Sequence, residues 1–194
     1  MVDGLPVPMR LLALIDQGLW PRADWKINQD YTPLVPKERV RLFAPRQRTI
    51  VLYPPPFYNV ARFALADPFY SEFGLLDGIS PELCVEVGDF GLGSDAPLLL
   101  DYRQDRANPT VIRPERKRGS PNVWVVCAKN FEEFADTLGL DEPEIAAAIR
   151  NLVLSRQPLA VAEQTVPQPP HFALLDDRLS LIARAWRTIT GRNV

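Results

Sequence analysis

The sequence predicts an α+β protein, and three observations carry that expectation. Between Leu83 and Ala128, short apolar runs alternate with turn residues, as successive strands do. After Ala128 the apolar residues take the three-and-four spacing of helices. Proline is abundant, with 20 prolines against 10 glycines in 194 residues. That is roughly double the usual ~5% share of proline and implies many fixed loops and few long helices.

The elements follow in order. Residues 1–48 read as a short helix and a polar loop punctuated by proline. Leu11, Leu12, Leu14, Ile15 and Leu19 line one face from Met9 to Trp20. Thr49–Tyr53 is a short β-rich run stopped by Pro54, Pro55 and Pro56. Val60, Phe63, Ala64, Phe69 and Phe73 suit a helix over Phe57–Leu76, broken at Asp67 and Pro68. Leu83, Val85 and Val87 alternate inward against Cys84 and Glu86, the pattern of a half-buried strand. Gly88–Asp95 holds three glycines and suits a turn that needs positive φ. Leu98, Leu99 and Leu100 are apolar on both faces, which places their strand centrally in its sheet. Thr110–Arg113 and Val123–Ala128 are two further strands, joined by a loop over Pro114–Pro121.

The helix that follows is the best-punctuated element. Asn130 is a good N-cap, and Glu133 three residues later makes a capping box. Phe131, Phe134, Ala135 and Leu138 form the buried stripe. Gly139 closes the helix at C′, and Leu140 packs back on it. Asp141 and Pro143 open another helix, whose Ile145, Ile149, Leu152 and Val153 share a face. A proline-rich linker spans 158–170. The last helix runs from about Leu175 to Ile189, with Leu175, Leu179, Ile182, Trp186 and Ile189 along one side. The expected division is therefore a domain over 1–140 and a helical extension over 141–194.

Composition narrows the function classes. Hydrophobic residues at 46% and charged residues at 24% are ordinary globular values, and the formal net charge is −2. Neither nucleic acid nor an anionic membrane is favoured by that balance. The charge is nonetheless uneven. Asp67, Glu72, Asp77, Glu82, Glu86, Asp89, Asp95 and Asp101 are unrelieved by any Lys or Arg between Phe63 and Asp101. The two cysteines, Cys84 and Cys127, lie in apolar runs, and the N-terminus has no secretory pattern. Those features suit a cytoplasmic protein with reduced, buried thiols.

The glycine turn at 88–95, the strand ending in Asp101, the strand over 111–113 and the Trp124 strand form a recognisable sequence. They lead into the Asn130-Phe131-x-x-Phe134 helix, and together this order resembles the core of the SUKH superfamily. The match covers residues 83–140, and the N-terminal half departs from the usual pattern. The resemblance implies a curved, mainly antiparallel sheet with helices packed around it, followed here by the C-terminal helical extension. It also implies a module that grips another protein and carries out no catalysis. Members include bacterial immunity proteins that neutralise toxin domains, and regulators of fungal cell-wall synthesis.

The chemistry-bearing residues fit that expectation. Asp89, Asp95, Asp101 and Asp105 are the material for a metal-dependent hydrolase, the alternative of a different class. No histidine lies near them, since the single His171 sits in the linker region. Asp beside glycine also has a local hydrogen-bonding use in turns. The Gly88–Gly93 segment lacks the lysine of a phosphate loop and leads into a strand. The loop of Arg116, Lys117 and Arg118 has no interleaved aromatics, which argues against nucleic acid. No catalytic residue, metal or cofactor is expected. The expected binding face is acidic, formed by Glu82, Glu86, Asp89, Asp95 and Asp101, with Arg103 and Trp124 beside it. Its partner is another protein, most concretely a basic toxin domain, and a general interaction module is the third alternative. The oligomeric state is left open between monomer and dimer.

Overall fold

The computed structural model describes residues 1–22, 35–47, 49–66, 69–90, 96–115 and 122–156. One compact unit covers Met1–Gln157. The linker at 158–170 and the helix expected at 175–189 lie outside the described residues. The chain runs through α1 (Met9–Asp16), α2 (Lys37–Phe43), β1 (Val51–Leu52), β2 (Tyr58–Asn59), α3 (Val60–Ala66) and α4 (Phe69–Glu72). It continues with β3 (Cys84–Asp89), β4 (Pro97–Asp101), β5 (Thr110–Glu115), β6 (Val123–Ala128), α5 (Phe131–Leu138) and α6 (Pro143–Arg156). The fold is α+β, as expected.

The sheet is antiparallel in every pair, in the order β1-β3-β4-β5-β6, with β2 also paired to β3. Its hairpin-connected centre is β3–β4–β5–β6, which needs only short connections between neighbours. Leu98, Leu99 and Leu100 are fully buried in β4, so the strand with apolar residues on both faces is central.

Two cores form because both faces of this sheet are covered. On one face Val85, Val87, Leu98, Leu100 and Val111 pack with Leu11 and Leu14 of α1, Val40 and Phe43 of α2, and the apolar stripe of α5. Trp20 sits in this core at zero exposure, and its indole N–H donates to Tyr53 O at 2.8 Å. Its ring lies 5.8 Å from that of Phe131, and Phe43 lies 5.0 Å from Phe134. On the other face Cys84, Leu99 and Ile112 pack with Val60, Tyr70 and Leu75.

This second cover changes the reading of β3. Alternation predicts a half-exposed strand, yet all six of its residues are buried. Its polar positions turn toward the α3–α4 side, and that side is roofed. Gly88 also differs from expectation. It belongs to β3 and is paired with Leu52 and Leu98. A Cβ there would meet Val51 O at 2.5 Å, so glycine is needed for close approach of β1. The rest of the expected turn, 91–95, lies outside the described residues.

The α5 helix matches its sequence signals. Asn130 Oδ1 accepts from Glu133 N at 2.9 Å, and Glu133 reaches back to Lys129 N at 2.7 Å. Gly139 takes φ 68° and ends the helix. The domain boundary is corrected. Ile145, Ala146 and Ile149 of α6 are buried in the same core as α5. That helix hides its apolar face on the nearest core, so the compact unit runs to Gln157 and does not stop at Leu140.

Candidate functional site

The residues expected to form the acidic face fall into very different places. Glu82 is exposed, in the 3-10 turn Pro81–Leu83 that leads into β3. Glu86, Asp89 and Asp101 are buried, at 4%, 1% and 6% exposure. Asp95 lies outside the described residues. The expected acidic face is therefore corrected, because most of its described members point into the protein. A charge at that depth has no direct access to a partner.

Each buried acid has a local use. Asp101 is held by Arg103, whose Nε lies 2.9 and 3.0 Å from the two carboxylate oxygens and whose Nη2 lies 2.7 Å from Oδ2. The Arg103 backbone N–H adds a 3.0 Å bond to Oδ1. Arg103 Nη1 donates to Gly78 O at 2.6 Å, which ties the turn before β3 to the end of β4. Arg103 is thus spent on Asp101 and the 78 turn. Asp89 accepts from Ala96 N at 3.2 Å and so joins the two ends of the 91–95 segment. Glu86 faces the buried Tyr70 phenol. Burial, then the Glu86 charge, pushes that phenol well above its ordinary range, so it stays protonated beside the carboxylate.

Of the acids named for the hydrolase alternative, Asp89 and Asp101 are not brought together, and Asp95 lies outside the described residues. In the β3–β4 ladder Asp89 pairs with Pro97 and Asp101 pairs with Cys84. They stand at opposite ends of the pair, on the order of 16 Å apart along the strand. Among the described residues no group of three or more His, Cys, Asp and Glu is placed to hold a metal ion. Asp105 is a turn former: its exposed carboxylate accepts from Ala107 N at 2.7 Å and Asn108 N at 3.2 Å. Those two backbone bonds hold it below the usual carboxylate range.

Trp124 is half-buried against the second core. Its indole N–H donates to Asp77 O at 3.0 Å, and Asn122 Nδ2 donates to Phe73 O. The start of β6 is thereby pinned to the loop after α4. Two valines of the strand are open, Val123 at 53% and Val126 at 64% exposure, and three positions apart they lie on opposite faces.

The cysteines are unreactive by environment. Both are free. Burial, then the nearby Asp101 charge, pushes Cys84 up to about 12, and burial pushes Cys127 up to about 12. Cys127 is half-buried on β6, a little more open than its apolar run suggests.

The exposed acidic surface lies elsewhere, on α5, α6 and the corner between them. Glu132, Glu133, Asp136, Asp141, Glu142 and Glu144 are all exposed within thirteen residues. Two guanidiniums from distant helices meet this ridge. Arg10 of α1 lies 2.5 Å from Asp141, 3.5 Å from Asp136 and 3.7 Å from Glu132. Arg39 of α2 lies 2.6 and 2.8 Å from the two oxygens of Glu142. Four of the six carboxylates pair with these two cations, and the ridge keeps an excess of negative charge with the exposed Lys129 counted in. The charge pattern alone already marks it, since residues 130–149 carry six acids and no Lys or Arg. A usable signal was present in the helical wheel: Glu132, Glu133 and Asp136 lie off the apolar stripe of α5 and must face outward.

No protein-family model, no curated protein and no solved structure matches this chain. Among the described residues no helix is long and apolar enough to cross a membrane.

Proposed function

We propose that this chain is a non-enzymatic protein-binding domain of the immunity-protein kind, which neutralises a toxin by covering a basic surface on it. The observation that carries the reading is the acidic ridge of α5 and α6, where six carboxylates are exposed side by side. Such a patch attracts a cationic protein, speeds encounter and discourages wrong partners. The ridge is also firmly mounted. Asn130 and Gly139 fix the ends of α5, and Arg10 and Arg39 lock the corner to α1 and α2. A rigid surface loses little conformational entropy on binding. The α+β fold and the SUKH-like order of strands and helix support the same class, as a scaffold whose function lies in its surface. The cytoplasm is its proposed location.

Co-expression with the protein encoded beside this chain's gene tests the reading. That neighbour should arrest growth alone and lose its toxicity when this chain is present. Charge reversal at Glu132, Asp136 and Glu144 to Lys should abolish the protection while the variant stays folded by circular dichroism. A harmless neighbour, or full protection by the folded triple variant, would overturn the proposal.

A further inference from the structure

We draw no further inference here: the strongest candidate, the open outer edge of β6 with Val123 and Val126 exposed, carries nothing because nothing in the structure shows what covers it.

Discussion

The acids of β3–β4 and the acids of α5–α6 are the same chemical groups in opposite situations. Glu86, Asp89 and Asp101 are buried and face a phenol, a backbone N–H and a guanidinium inside the fold. Glu132, Asp136 and Glu144 are exposed on the polar side of two helices, the first two within 3.7 Å of the Arg10 guanidinium. A run of acids in sequence therefore says little about a binding face until burial is known. A central strand in a sheet covered on both sides hides every residue, whereas a surface helix hides only one stripe.

The two arginine–carboxylate pairs offer a controlled version of this comparison. Arg103 grips Asp101 with three side-chain bonds of 2.7 to 3.0 Å, and Arg39 grips Glu142 with two of 2.6 and 2.8 Å. They differ in the acid they hold: the Asp101 side chain is 8% exposed and that of Glu142 is 47% exposed.

The largest expected effect breaks the strand region itself. Gly88→Ala places a methyl group against the Val51 carbonyl, which is backbone and cannot swing aside. The loss should be about 3 kcal/mol or more in urea unfolding. A loss below about 1 kcal/mol would mean that β1 is not seated on β3 as described.

Next comes the arginine pair. Arg103→Ala strands a buried carboxylate and should lower stability by about 2–3 kcal/mol, less than for a fully buried pair because Arg103 is a third exposed. Arg39→Ala leaves Glu142 free to hydrate and should lower stability by under about 1 kcal/mol. Equal losses would erase the distinction between the two regions.

A smaller, pH-dependent effect belongs to the buried thiols. The ordinary thiol value is 9.0, and in the folded protein Cys84 and Cys127 are pushed up to about 12. Below pH 9 the thiols are protonated in both states, so their contribution is fully present. Between pH 9 and 12 the unfolded chain releases protons that the folded one keeps, and stability falls. The melting temperature should therefore decline across that window, and iodoacetamide should label the native thiols slowly at pH 8. Rapid labelling, or a flat melting curve from pH 8 to 11, would contradict their burial.

Legibility followed locality. The limits of α5 were readable because Asn130, Glu133 and Gly139 act on backbone groups a few residues away. The central place of β4 was readable because three consecutive leucines leave no polar face. The burial of Glu86 was not, because it depends on α3 and α4 lying over that face. The role of Gly88 was also hidden. Its partner, Val51 O, is 37 positions upstream, and a glycine beside Asp suggests a turn. For the candidate site, the aspartates were conspicuous but structural. The ridge acids form an equally unrelieved run, with six acids and no Lys or Arg over 130–149, and only the helical wheel tells that they face outward.

The most direct measurement compares two neutralised variants in binding and unfolding. One carries Glu86→Gln, Asp89→Asn and Asp101→Asn, and the other Glu132→Gln, Asp136→Asn and Glu144→Gln. Titration calorimetry against the protein encoded beside the gene, at low and high salt, gives affinity, and thermal unfolding gives stability. The ridge variant should melt within about 2 °C of the parent. It should also bind roughly tenfold or more weakly, with a flatter salt dependence. The strand variant should melt well below the parent. Parental affinity and salt dependence in the ridge variant would contradict the account.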